Sequence, residues 1–208
     1  MIYNLYLIRH AKTQGNYEGR YAGAGDEPVS EAGLLELKAR IVSGYYPKVE
    51  KVYVSPRERC RQTAFWIYPK LPYQIVPGFA EYNFGAFEGK SYAELKANPL
   101  YRRWIAGGGK EKAPGGEDIQ SYKERCCRAF SEVVEDIRQG GWKSTALVIH
   151  GGTIMAILEK YIPGGKSFFD WQVPNTQGYK LSIEDKQWEQ EKVIKNYQHL
   201  TASSILKN

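Results

Sequence analysis

Short apolar runs alternate along this chain with amphipathic stretches, and the alternation predicts strands and helices in turn. Tyr3 to Ile8 is a β-rich apolar run that stops at the polar pair Arg9-His10. Glycines and polar residues fill 11–29, which predicts a loop. Ser30-Glu31 opens a helix to about Ser43, with Ser as the cap and an acid in the first turn. Lys51 to Val54 is a second strand. Ser55-Pro56-Arg57-Glu58 combines a capping Ser, a Pro at the first helical position and a Glu at N3, predicting a helix to about Tyr68. Tyr73 to Val76 is a third strand, followed by an aromatic, glycine-rich loop from Pro77 to Lys90. Ser91 and Glu94 make another capping box, for a short helix that ends before Pro99. Beyond Gly107-Gly108-Gly109 and Pro114-Gly115-Gly116, Asp118 to about Arg138 has the length and period of the longest helix. Ala146 to Ile149 is a continuous apolar strand, and His150-Gly151-Gly152 turns it into a helix from Thr153 to Tyr161. The tail alternates around Glu184-Asp185-Lys186, predicting a closing hairpin.

Short apolar strands alternating with helices predict an α/β fold: a three-layer sandwich whose mainly parallel central sheet is flanked by helices. One domain over 1–208 is expected, with a small lid-like insert around 82–117. Ligands of such sheets sit beyond the carboxyl ends of the strands. His10 and His150 both lie at such ends, far apart in sequence, and the fold can bring them together.

Composition narrows the field. Of 208 residues, 42% are hydrophobic and 25% charged, which excludes wholesale disorder. No apolar run approaches the roughly 18 residues of a membrane span, and the first residues read as a strand, not a signal peptide. Three cysteines, Cys60, Cys126 and Cys127, make no disulfide framework and no zinc spacing. A cytoplasmic protein is expected. The net charge of +6 favours anionic partners. Lys and Arg are dispersed, however, which fits a small phosphorylated metabolite better than nucleic acid or a membrane surface.

Arg9-His10 joins a nucleophilic imidazole to a guanidinium whose fork matches phosphate oxygens, although such a pair alone also suits a solvent-facing strand end. Arg59 stands in the first turn of the helix after the second strand, where the helix N-terminus adds to its attraction for an anion. Arg57 and Arg61 are expected to face solvent or pair with Glu58. Glu81 lies in the loop beyond the third strand, where a carboxyl group can protonate a leaving alkoxide. His150-Gly151-Gly152 offers a second imidazole and bare backbone N–H groups.

Four segments, in this order, resemble the histidine phosphatase (phosphoglycerate-mutase-like) superfamily: Leu7-Ile8-Arg9-His10-Ala11-Lys12-Thr13 with Asn16; Ser55 to Ala64; Glu81 to Gly89; and Val148 to Thr153. Arg20 to Gly23 and Asp26 to Gly33 also look like its lead into the first helix. The resemblance implies that His10 becomes phosphorylated, that Arg9, Arg59 and His150 hold the phosphoryl oxygens, and that Glu81 is general acid and then base. It further implies that Asn16, Gly23 and the Gly151 backbone complete the phosphate pocket, with no metal or cofactor. Ala11 and Ile149 depart from the usual Gly and Ser or Thr, and neither departure deletes a catalytic group.

Within that resemblance a phosphatase is favoured over a phosphoglycerate-type mutase, because the stretch between Glu81 and His150 is short. It still contains Arg102, Arg103 and Lys110. The Phe84-to-Gly89 segment looks like small bacterial phosphatases, including α-ribazole phosphatases. Tyr82, Phe84, Phe87, Tyr92, Tyr101 and Trp104 crowd the region beside Glu81, as a wall for an aromatic leaving group or as ordinary lid packing. Glu88 is expected at a structural turn. A non-catalytic phospholigand-binding protein is a further alternative, opposed by the presence of both His10 and Glu81. Cys126, Cys127 and His199 are read as packing and tail residues.

Overall fold

The computed structural model describes residues 1–201. Its centre is a six-stranded sheet in which β1 (Ile2–Arg9) is an inner strand. On one side β1 pairs in parallel with β4 (Ser144–Ile149), β4 with β2 (Lys51–Val54), and β2 with β3 (Tyr73–Ile75). On the other side β5 (Gly178–Glu184) and β6 (Asn196–His199) add antiparallel. The expected α/β sandwich is present, parallel at its heart with an antiparallel margin.

The period of two along β1 divides its side chains between two layers. Leu5 and Leu7 join one core with Leu147, Ile149, Phe130 and Ile154, under α6 (Ile119–Gly140) and α7 (Gly151–Tyr161). Tyr6 and Ile8 join another with Val52, Val54, Cys60 and Ala64, under α3 (Glu58–Ile67). Among the described residues no helix is long and apolar enough to cross a membrane.

Four local expectations need correction. Ser55 does not cap α3: Arg57 occupies the N-cap without a side-chain bond, because the Ser55 hydroxyl is engaged elsewhere. The 11–29 loop holds one helical turn, α1 (Gln14–Tyr17), closed by a Thr13–Asn16 capping box. After α4 (Tyr92–Leu95), Pro99 starts a helix instead of only ending one. Asn98 Oδ1 accepts from the N–H groups of Leu100 and Tyr101, launching α5 (Pro99–Ala106). The tail is not a tight hairpin, since α8 (Asp185–Glu191) joins β5 to β6.

The α2 helix (Glu31–Val42) starts at Ser30 as expected, the Ser30 hydroxyl accepting from Gly33 N–H. Between β3 and α6, Phe87, Leu95, Tyr101 and Ala113 form a separate small core, with Tyr21, Phe84 and Trp104 packed on it.

Candidate active site

Register places the two histidines. Arg9 pairs with Ile149 across β1 and β4, so His10 and His150 leave the sheet side by side. Their ring centroids are 5.2 Å apart, nearly edge to face. His10 N–H donates to the Ile149 carbonyl, and the His10 carbonyl accepts from Asn175 Nδ2 at 3.0 Å. His10 Nδ1 lies 2.7 Å from the Ala11 carbonyl. A carbonyl only accepts, so Nδ1 carries the proton and Nε2 keeps its lone pair. Burial first, then the Arg59 and Arg9 charges, holds His10 well below the usual imidazole range. The ring is therefore a neutral base at neutral pH.

Three guanidinium groups surround this pair. Half-buried Arg9 donates to the Val173 carbonyl at 2.7 Å, and its guanidinium lies against Gly151. Arg59 is fully buried, and its ends donate to the carbonyls of Gly25 and Gly23 at 2.8 and 2.9 Å. Arg57 lines a polar cavity that also reaches Glu81, and its charge is among those lowering His150. It thus faces the site, not solvent, and half-buried Arg61 pairs with Asp26 at 3.8 Å instead of with Glu58. Among the described residues the buried Nε atoms of Arg9, Arg57 and Arg59, like that of Arg61, have no hydrogen-bond partner. Such cationic donors suit an anion.

His150 is fully buried, and Ser55 Oγ sits 2.7 Å from its Nε2. Burial, followed by Arg59, His10, Arg57 and Arg9, drives this imidazole well below its usual value. It stands at the N-cap of α7, with the Gly151 N–H in the first turn.

Glu81 is half-buried beside this cluster. Its Oε1 accepts from the Tyr82 N–H at 2.9 Å and from the Tyr122 hydroxyl, and its Oε2 faces the Gly152 N–H at 3.4 Å. A cavity of about 680 Å³ opens on Glu81 and Gly152, lined among others by Tyr82, Phe84, Trp104 and Phe168. Of the aromatic residues singled out in the sequence, Phe87 and Tyr101 are buried in the insert's own core and Tyr92 is exposed.

The remaining predicted positions play quieter parts. Asn16 Oδ1 is engaged by Thr13 N–H and Asn175 Nδ2. Gly23 gives its N–H to Glu88 and its carbonyl to Arg59, so it positions Arg59 and does not offer a free donor. Glu88 accepts from Gly23, Ala24 and Phe84 N–H groups, the structural turn expected of it. Cys126 and Cys127 are buried, and His199 lies against Tyr179. Among the described residues no group of three or more His, Cys, Asp or Glu is placed to hold a metal ion.

Sequence reasoning missed Ser55, Tyr122 and Asn175 as site residues. Tyr122 carried one usable signal, a hydroxyl within the buried stripe of α6 that needed a partner.

Similar proteins share this framework. A protein of Hydrogenobacter thermophilus that carries a phosphoserine phosphatase name is 30% identical over 158 residues, 74% of this chain and 76% of that one. The adenosylcobalamin/alpha-ribazole phosphatase of Escherichia coli is 25% identical over 162 residues, 76% and 78% of the two chains. The 2,3-bisphosphoglycerate-dependent phosphoglycerate mutase 2 of Gloeobacter violaceus is 28% identical over 166 residues, 74% and 73%. The solved alpha-ribazole phosphatase of Shigella flexneri superposes with a TM-score of 0.81 over 96% of both chains, at 22% identity. The family model of the histidine phosphatase superfamily (branch 1) matches residues 5–196, and with the strand-end histidines and their arginines in register, this chain belongs to that superfamily.

Proposed function

We propose that this phosphatase hydrolyses a small phosphomonoester without a metal, through a phosphohistidine on His10. Nε2 of His10 attacks phosphorus while the bond from phosphorus to the alcohol oxygen breaks. Arg9, Arg59, His150 and the Gly151 N–H hold the other phosphoryl oxygens, with Asn16 at the rim and Gly23 fixing Arg59. Glu81 gives its proton to the departing oxygen. In the second step the Glu81 carboxylate takes a proton from water. The water oxygen bonds phosphorus, the N–P bond breaks, and phosphate leaves with both side chains restored. The cations supply the charge stabilisation that a metal supplies in other phosphatases.

One observation carries this reading: His10 spends its Nδ1 proton on Ala11, 5.2 Å from a second buried imidazole and between two arginines. Trapping tests it. Brief exposure to substrate and an alkaline quench should leave a base-stable, acid-labile phosphate on His10. A His10→Ala protein with near-native turnover would overturn the reading.

The aromatic cavity beside Glu81 supports an alcohol with a flat apolar part, and α-ribazole phosphate, a benzimidazole nucleotide, is the substrate we propose to test first. A mutase is less well supported. Of the basic residues in the insert, Arg102 is exposed, Arg103 pairs with Glu111 at 3.1 Å, and Lys110 alone lines the cavity. The small core of 82–117 supplies one wall of that cavity, which supports reading it as a lid-like insert on one domain. The three free, buried thiols agree with a reducing, cytoplasmic setting.

A further inference from the structure

We propose that Tyr122 is a positioning residue that decides which oxygen of Glu81 delivers the proton; this rests on Glu81 acting as general acid. Tyr122, Cys126 and Phe130 fall at i, i+4 and i+8 on the buried stripe of α6, and all three are fully buried. The Tyr122 hydroxyl leaves that stripe to donate to Glu81 Oε1, an oxygen that the Tyr82 N–H also engages at 2.9 Å. A proton on Oε1 would point an O–H at two donors. The carboxyl proton therefore belongs on Oε2, which among the described residues has only the long 3.4 Å approach of the Gly152 N–H at the start of α7.

Two further observations fit this assignment. Burial and the facing Glu81 charge push the Tyr122 phenol well above its ordinary range, so it stays a donor throughout the enzyme's working pH. Gly152 makes the room: a Cβ there would stand 2.6 Å from both Glu81 Oε1 and the Tyr122 oxygen. A hydroxyl that donates to Oε1 occupies that oxygen's lone pair before and after proton transfer, and so keeps Oε2 as the oxygen that gives up the proton. When Glu81 next takes a proton from water, the same bond again directs that proton to Oε2. Other polar groups about the phenol include Thr153 Oγ1 at 3.3 Å and the Arg125 guanidinium over its ring. Neither of these is a carboxylic acid able to protonate a departing alkoxide.

The test measures alcohol release in a single turnover, with an alkyl phosphate and with p-nitrophenyl phosphate. It compares the native protein, Tyr122→Phe, Glu81→Gln and the double variant. An alkoxide needs the proton and a nitrophenolate does not. Tyr122→Phe should slow the alkyl ester about tenfold and the nitrophenyl ester less than about twofold, and should add nothing in the Glu81→Gln background. Equal losses on both esters, or the same loss with and without Glu81, would make Tyr122 a packing residue and overturn the proposal while the role of Glu81 stands. If Glu81→Gln fails to discriminate between the esters, the acid assignment falls and the proposal with it. Should Tyr122→Phe fold poorly, a fluorinated tyrosine at 122 keeps the ring and strengthens the donor. Its alkyl-to-nitrophenyl rate ratio should then rise, and an unchanged ratio would overturn the proposal.

Discussion

Ser55 Oγ and His150 Nε2 meet at 2.7 Å, so the residue after β2 fixes the imidazole that follows β4. His150 is fully buried, and its remaining polar neighbour within reach is the weakly bonding Cys60 sulfur, 3.6 Å from the same nitrogen. Ser55→Ala would leave a buried ring nitrogen without a good partner, which costs about 1–3 kcal/mol of stability. It would also free the ring to turn away from the phosphoryl group. The expected outcome is a lower urea midpoint and a rate loss of about tenfold on every ester, because in the proposed mechanism His150 holds phosphoryl oxygens and not the alcohol. Losses confined to poor leaving groups would place Ser55 with Glu81 instead.

That contact also marks the limit of the sequence reading. Ser-Pro-Arg-Glu has every mark of a helix start, and the chain does turn into α3 just beyond it. The hydroxyl found a tertiary partner, and nothing local to residues 55–58 encodes a histidine that follows β4. His10 and His150 were legible because an apolar run that stops at a histidine marks a strand end, and parallel strands end on one side of a sheet. Glu81 was legible through its motif, but Tyr122 looked like any other ring on the apolar stripe of a long helix. The start of α5 is encoded in Asn98-Pro99, a cap followed by a proline at N1, a pattern that both ends one segment and opens the next. The 173–177 segment held no pattern, yet Asn175 and Thr176 bond the carbonyls of Arg9 and His10.

Stability should respond to acid through the two imidazoles. Both are held well below the ordinary value of 6.5 in the folded protein. Above that value neither the folded nor the unfolded form is protonated there, and the pair has no pH effect. As pH falls through 6.5 the unfolded chain binds protons that the folded protein refuses, so stability falls with pH down to the folded values. Two groups give a slope of at most about 2.7 kcal/mol per pH unit. The carboxylates lowered by hydrogen bonds, such as Glu36 with Tyr17 and Lys12, lie below 4.5 and act only in stronger acid. Urea unfolding at intervals between pH 7.5 and 5 should show this loss, and His10→Gln/His150→Gln should flatten it. A stability constant over that range would mean the histidines are protonated in the fold.

Arg59 and Arg57 both approach the site, and their burial separates them. Arg59 is fully buried and tied to the carbonyls of Gly23 and Gly25, whereas Arg57 is half-buried at the N-cap of α3. Arg59→Ala should cost about 2–4 kcal/mol of transition-state stabilisation, roughly 30- to 1000-fold in kcat/KM. Arg59→Lys should recover little, since an ammonium cannot reproduce the fork. Arg57→Ala should cost about tenfold or less, as expected for a half-exposed charge acting at longer range. Equal effects in a kcat/KM comparison would move the second phosphate clamp to Arg57.

The adjacent glycines of α7 should fail in different ways when each gains a methyl group. At Gly152 the added Cβ would stand 2.6 Å from Glu81 Oε1 and from the Tyr122 oxygen. Tyr122 is locked in the core of α6, so the more mobile Glu81 must give way. At Gly151 the Cβ would instead meet the Arg9 guanidinium carbon at 3.2 Å, disturbing the phosphate clamp proposed for Arg9. Neither change should unfold the protein, because alanine is the better helix former by about 1 kcal/mol and offsets part of the crowding. Gly152→Ala should therefore slow alkyl phosphates about ten- to hundredfold and p-nitrophenyl phosphate much less, the pattern of a displaced general acid. Gly151→Ala should slow both esters alike, because phosphoryl oxygens are held in the same way whatever alcohol departs. A single-turnover comparison of the two variants on the two esters decides it. If Gly152→Ala treats both esters alike, the carboxyl group beside it is not the proton donor.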